Sequence, residues 1–552
     1  MKKATRIIAM LLVFLMAVAL AACGGSDGGN SASPGGSSSP GTSESPGGSA
    51  SPGGSASPGG SASPGGSNES PGAAAEGRDS LTIAVSGDQG SLSPNGSSGQ
   101  FFGVSLCMHE ALWDVDKENN ITWLLATSID VISPTEWIIH LREGVTFSNG
   151  NPFTAEDVLF TFDLVNPPKT QSVDKENMKV IDDYTFDLRF TEYNVQMMPV
   201  LSDVPIFDVE SYDPEGAAVR PVGTGPYLLK EYVVNSHVFL ERREDYWGDL
   251  PEIKYLNFRV MSEPSQIVNG LETGLLDVAP VEAYDFDHVS ALPGFNITSR
   301  YAQLWALIGF NVTPKSIFGN IDARKAVAHA IDRDAIVNIV YQGRAKKMKG
   351  AYPDNLFDYE PRFDNINDIY TIGFDLELAK QYADSSGLTG QEVRLQINAE
   401  SPAFISLSEM LQDMLAQIGV TVQILSVDYA TYQSLGGDDN AYDFRLGTGF
   451  AANMFTIDPM INGVRYSNIL NQGYWPGSEW YLENAPNALY TADDKERSDL
   501  TFRVLQTYTD AVLGYALCDI QQNHAFTKDL DQSSIVWRAT TSINYAKFRW
   551  AK

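Results

Sequence analysis

The side chains able to do chemistry in this 552-residue sequence are scattered rather than clustered. Its six histidines fall at 109, 140, 237, 288, 329 and 524, and none stands in an H-x-x-x-H arrangement. Cys23, Cys107 and Cys518 form no C-x-x-C pair, so no zinc or other metal set is readable from spacing. The nucleophile pattern G-x-S-x-G occurs at Gly24 to Gly28, inside a Gly/Ser tract with no strand and helix to hold the serine strained. There is no P-loop. With 69 acidic residues, carboxylate pairs arise by chance and do not mark a glycosidase-like site. The pattern predicts no catalytic residue, no metal and no cofactor.

One cysteine does sit in a chemical context. Lys2, Lys3 and Arg6 precede the apolar run Ile7–Leu20, which ends in Leu20-Ala21-Ala22-Cys23. A charged start, an apolar middle and small residues before a cut are the grammar of a secretory signal. The 14-residue run is short of the roughly 20 that span a bilayer. The ending resembles a bacterial lipobox, in which the cysteine sulfur takes a diacylglycerol before cleavage. The expectation is a signal over 1–22 and a chain anchored by lipid on Cys23 to the outer face of the cytoplasmic membrane.

Residues 24–77 are Gly, Ser, Pro and Ala with hardly a large apolar side chain, and prolines recur at 34, 40, 46, 52, 58 and 64. Such a segment cannot bury enough surface to offset its ordering entropy. As a Gly/Ser-type chain it spans roughly 40 Å, so 23–77 reads as a disordered tether, of a length that suits a Gram-positive surface. The 475 residues that remain, 78–552, are too many for one core and suit two or more packed domains. Formal charge is −31, and loss of the three basic residues of the signal makes it −34. That excess opposes nucleic acid and anionic lipid and favours solubility. Cys107 and Cys518 leave two readings open, one disulfide or two buried thiols.

The elements alternate in type. Leu81–Val85 and Thr135–Leu141 read as strands. Thr154 offers an N-cap with Glu156 and Asp157 in the first turn, ahead of a helix burying Val158, Leu159, Phe162 and Val165. Ile321–Tyr341 has helical period, bent near Asp332. Leu407, Met410, Leu411, Met414, Leu415 and Ile418 mark a helix that Gly419 ends, and Val420–Ile424 follows as a strand. Gly223, Gly225 and Pro226 read as a tight turn needing unusual φ. Tyr246 and Trp247 read as packing anchors, and Asp332 with Arg333 as a cap or an ion pair. Strands mixed with helices throughout predict α/β layering.

Taken in order, several segments resemble the family 5 extracellular solute-binding proteins, the peptide- and nickel-type receptors of ABC importers. They are Thr135–Phe162 (TEWIIHLREGVTFSNGNPFTAEDVLFTF), Asp182–Thr185, Val222–Tyr227, Glu241–Trp247, Gly274–Val278, Gly309-Phe310-Asn311 and Arg324–Arg333. The resemblance implies a two-lobe fold like that of periplasmic binding proteins, with mixed sheets, a hinge and an interlobe cleft. Lobe I would be 78–300 completed by 525–552, and lobe II 301–524. It implies a monomeric receptor, not an enzyme, that delivers a peptide or related amine-bearing solute to a permease and its ATPase. A surface sensor or chaperone on the same fold, or a secreted hydrolase, are the alternatives.

The resemblance also places a site in Leu446–Pro459 (LGTGFAANMFTIDP). Phe450 matches the family's aromatic and Asp458-Pro459 its later pair, but Asn453 stands where peptide-binding relatives carry an amine-gripping Asp. A neutral amide accepts from an ammonium without neutralising it. Asp458 is the nearest acid by sequence, and Trp305 and Phe102 are the further expected cleft walls. No Arg occurs in 399–410, where some dipeptide receptors hold a carboxylate.

Overall fold

The computed structural model describes residues 78–552 apart from 89, 96–98, 166–171, 452–453, 466, 468 and 540–541. The expected signal, Cys23, the tether and Asn453 lie outside the described residues.

The strands, in chain order, are β1 Ser80–Val85, β2 Trp113–Val115, β3 Ile121–Trp123, β4 Ala126–Ser133, β5 Glu136–Leu141, β6 Lys179–Asp182, β7 Thr185–Arg189, β8 Tyr227–Val233 and β9 His237–Arg242. There follow β10 Tyr255–Val260, β11 Val278–Val281, β12 Phe295–Phe310, β13 Ala345–Lys347, β14 Glu392–Asn398, β15 Thr421–Val427, β16 Phe444–Phe450 and β17 Gly514–Thr527. One mixed sheet runs β15-β14-β16-β12-β17-β11-β1-β10-β9-β8, with β13 also on β17. A second sheet runs β4-β5-β7-β6, and β2 and β3 form a ribbon.

Local chemistry accounts for the helices that matter below. Helix α1, Ala155–Leu164, starts where the Asp157 carboxylate accepts the Thr154 backbone N–H at 2.8 Å. That contact satisfies a donor the helix itself leaves open. The expected bent helix is two helices, α2 Ile321–Ala330 and α3 Arg333–Ile339. Asp332 is the cap between them, accepting from the Ala335 N–H, while Arg333 turns inward to donate to the Met348 carbonyl at 2.7 Å. Helix α4, Pro402–Ala416, opens on a Ser401 cap and buries Phe404, Leu407, Leu411, Met414 and Leu415 on one face. Gly419 follows at φ +76°, which only glycine adopts without strain.

Three expectations change in the structure. Gly223 and Gly225 do not have positive φ. A Cβ on Gly223 would stand 2.2 Å from the Met108 carbonyl oxygen, and one on Gly225 2.6 Å from the Met108 carbonyl carbon. Close approach of backbone, not turn conformation, is the reason for both glycines. Tyr246 and Trp247 are more than apolar anchors, since Tyr246 Oη (2.6 Å) and Trp247 Nε1 (2.9 Å) both donate to the buried Glu110 carboxylate. Cys107 and Cys518 are free, buried in two different cores, and the disulfide reading falls.

Those cores divide the molecule. One is built from Trp305 through Cys518, and two others from residues 81–278 together with Phe526–Trp550 and from Leu112–Phe207. The long strands β12 and β17 belong to both sides. They pair from Phe295↔Thr527 to Tyr301↔Gln521, lose register, resume at Trp305↔Asp519 and Ala306↔Cys518, and shift once more before Leu307↔Ala516 to Gly309↔Gly514. Gln303, inside the break, has φ +54°.

Asp519 lies at that break. It is fully buried, pairs with Trp305 on one side and Lys346 of β13 on the other, and neither carboxylate oxygen accepts a hydrogen bond from a described residue. The Lys346 ammonium stands 4.0 Å away and is engaged by Asp354. Burial pushes the Asp519 carboxyl up from 3.8 to about 7, Lys346 opposing the rise and Asp354 adding to it. A raised folded pKa contributes stability that is present below the unfolded pKa and is lost as pH rises through the folded one. Wild type should therefore lose up to about 4 kcal/mol between pH 4 and pH 8 from this group. Asp519→Asn should flatten that loss in denaturant unfolding at the two pH values. An unchanged slope would show that Asp519 is ionised throughout.

Candidate functional site

Strand β16 ends at Phe450 beside the register break, because β16 pairs with β12 from Phe310↔Phe444 to Leu304↔Phe450. Strand β14, parallel to β16, ends nearby at Asn398 and leads through Ser401 into α4. Carboxyl ends of strands in open α/β sheets are where ligands collect, since the loops and helix N-termini there converge.

Trp305 fixes the geometry. It is opposite Gly449 on β16 and Asp519 on β17, so Lys346, Asp519, Trp305 and Gly449 form one row across four strands. The indole lies across Gly449, where a Cβ would stand 2.1 Å from the ring. Tyr352 meets it edge-on at 5.5 Å. On the open side is a cavity of about 590 Å³ lined by Trp305, Phe450, Tyr432, Tyr442, Arg445 and Tyr508 among others. Trp305 is 2% exposed, a buried wall, and Phe450 is 41% exposed, a residue of the rim. Burial raises the Tyr432 and Tyr442 hydroxyls, with Arg445 opposing the rise in both.

The other expected residues are distributed differently. Asp458 is buried in the first turn of α5, Ile457–Arg465, and is not among the cavity's lining residues, although Pro459 is. The loop before it is tied down. The Asp358 carboxylate accepts from Thr456 N–H at 2.6 Å and Thr456 Oγ1 at 2.7 Å, and Phe357 N–H donates to the Met454 carbonyl at 2.7 Å. Phe102 lies in the short helix Gly99–Ser105, buried 5.8 Å from the Arg538 guanidinium, and does not join Trp305 and Phe450 at the cavity. Asn453 lies outside the described residues.

A second cavity, of about 340 Å³, takes its walls from both sides of the strand pair. Ser86, Ser262, Glu282, Tyr341, Ser406 and His524 are among its lining residues. The sequence reading missed it. The available signal was Asp519-Ile520-Gln521-Gln522-Asn523-His524, a polar run inside a strand whose two ends are apolar. Burial lowers His524 to about 3, with Arg300 adding to the effect, so its ring is neutral. Among the described residues, no group of three or more His, Cys, Asp or Glu is placed to hold a metal ion.

The indole on Gly449 yields a direct test. Gly449→Val should force Trp305 off its seat, cost about 1–3 kcal/mol as an overpacked core does, and shift Trp emission. Unchanged stability and emission would mean that the ring has another place to lie.

Comparison with known proteins agrees with this geometry. The family model described as bacterial extracellular solute-binding proteins, family 5, middle, matches residues 120–470. A Brucella ovis protein named for peptide binding in an ABC transporter is 28% identical over 374 residues, 64% of this chain and 69% of its own. Among solved structures, the Helicobacter pylori periplasmic binding protein DppA in complex with the peptide STSA superposes with a TM-score of 0.72 at 19% identity, covering 86% of this chain and 98% of that one. NikA of Brucella suis in complex with Fe(III)-EDTA gives 0.75 at 19% identity, over 86% and 100%. These neighbours share the two-lobe fold of periplasmic binding proteins. With the family model spanning most of the body that carries the cavities and the strand break, the chain belongs to the bacterial extracellular solute-binding proteins of family 5.

Proposed function

We propose that the chain is the receptor of an ABC importer, capturing a small solute between two lobes and handing it unchanged to a permease and its ATPase. The observation that supports this most is the strand pair β12 and β17, which both sides share and which loses register midway. A break in a ladder is where a sheet bends at least cost, and hinge closure about a few such residues is how two-lobe binders enclose ligands. We place lobe I at 78–300 with 525–552 and lobe II at 301–524, so the break at 301–305 and 519–521 is the hinge.

The solute is a peptide or a related amine-bearing compound, by analogy with the Brucella ovis and Helicobacter relatives. Phe450 and Trp305 supply apolar walls, and the segment holding Asn453 and Asp458 supplies the acceptors for an amine. Lipid on Cys23 holds the monomeric receptor at the outer face of the membrane, with 23–77 as its tether.

Deleting the gene should abolish uptake of the solute that mass spectrometry identifies on the purified body. Unchanged uptake of that solute would remove the import reading and leave a sensor or chaperone. Cys23→Ala should release the protein to the medium or leave it unprocessed. Membrane retention of a cleaved, lipid-free chain would contradict the anchor.

A further inference from the structure

The 590 Å³ cavity beside Trp305 lies within the range of small-molecule sites, about 300–1,000 Å³. Its floor is bare backbone. Gly447 and Gly449 on β16, Gly309 on β12 and Gly514 on β17 all line it, and the register sets Leu307 opposite Gly447 and Gly309 opposite Gly514. Glycine weakens a strand interior, and its usual justification there is a close approach by another group. Gly449, Gly447 and Gly514 already have neighbours, in Trp305, the Tyr432 hydroxyl and the Tyr508 hydroxyl. Gly309 has none, since a Cβ built on it meets no atom within 4 Å. The space above Gly309 is open to the cavity.

The cavity carries one charged side chain among its described lining, Arg445. Its guanidinium lies 3.8 Å over the Tyr432 ring and 5.2 Å from that of Tyr442, and Nη2 donates to the Tyr432 carbonyl at 2.5 Å. Tyr432 and Tyr442 are spent elsewhere, donating to the Leu446 and Gly436 carbonyls. Arg445 Nε is buried and donates to no described residue, and no described acid forms an ion pair with Arg445. Two buried guanidiniums of this acidic chain are matched by acids, whereas Arg324 and Arg333 are met by backbone carbonyls. Arg538 pairs with Asp114 and Asp203, and Arg243 with Asp245. An unmatched guanidinium in an aromatic cavity attracts an anion through charge-assisted hydrogen bonds and disfavours an ammonium.

We propose that this cavity is the subsite for an anionic end group, a carboxylate on a flat apolar body, with Arg445 as its counter-ion and specificity determinant. The proposal rests on the receptor reading above and names the charge that the lobe II side selects. Peptide carboxylates and free aromatic acids share this chemistry.

Calorimetry on the full chain with three probes tests it: N-acetylphenylalanine, phenylalaninamide and the dipeptide Ala-Phe. N-acetylphenylalanine should bind at least about tenfold more tightly than phenylalaninamide, roughly 1.4 kcal/mol. Arg445→Gln should erase that margin, and Arg445→Lys should keep part of it. Ala-Phe binding above N-acetylphenylalanine assigns the subsite to peptides, and equal binding assigns it to free acids. Gly309→Val, whose Cβ meets no atom within 4 Å, should fill the floor and exclude N-acetylphenylalanine even if Arg445→Gln proves unstable. Binding of phenylalaninamide as tight as that of the acid, no binding by either acid, a margin that survives Arg445→Gln, or wild-type affinity in Gly309→Val would each overturn the proposal. None of these outcomes touches the receptor reading, which stands or falls on uptake in the deletion strain.

Discussion

Backbone hydrogen bonding between β12 and β17 is the constraint on which the rest of the structure depends. The two strands run to sixteen and fourteen residues, well beyond the usual five or six. They can do so because each serves one core at one end and another core at the other. The ladder loses register between Tyr301 and Trp305 and again between Ala306 and Leu307, so the two paired segments are not one continuous ladder. Every candidate ligand contact is positioned relative to that junction. Trp305 and Phe450 lie just beyond it, and Gln521 through His524 just before it.

Polar groups are concentrated where the ladder fails. Asp519 has no hydrogen bond from a described residue, and Gln303 and Gln522 each leave a buried side-chain oxygen without a partner in the described structure. Unsatisfied buried groups cost stability, and their gathering at one junction sets a local weakness against the well-packed cores beside it. Functional motion is drawn from such low-stability regions. Elsewhere Arg243, Arg324 and Arg538 are buried but well supplied with acceptors, while Gln196, Arg333, Gln396 and Arg445 each leave a buried side-chain atom without a partner among the described residues.

Much of the fold was legible because it is written in short range. The 3.6-residue period from Leu407 to Ile418, the stop at Gly419 and the Thr154 start depend on neighbours within a turn or two, and each stands in the structure. What failed was long range. The role of Gly223 and Gly225 is set by Met108, more than a hundred positions away, and nothing local distinguishes a crowding glycine from a turn glycine. Asp332 was readable as a break yet not as a full stop between two helices. At the site, Phe450 and Trp305 were named from a family pattern, whereas Arg445 with Tyr432, and the row from Lys346 to Gly449, exist only through strand register. Phe102 shows the converse, an aromatic near the right strand that packing turns inward.

Met454 gives the molecule a property that no cavity reveals. It follows β16 on the lobe II side yet is buried in the core built from Leu112–Phe207, and Phe357, whose N–H holds its carbonyl, packs against both cores. Val195 makes the reciprocal reach, its N–H donating to the Leu489 carbonyl. Such contacts belong to neither core alone. Their free energy fastens the two cores to each other and does not stabilise either alone. Burying one methionine is worth about 1.5–3 kcal/mol, a roughly ten- to hundredfold weighting toward the joined arrangement. The fastening lies four residues past Phe450, at the end of β16. A change in that short segment is therefore felt in two cores at once.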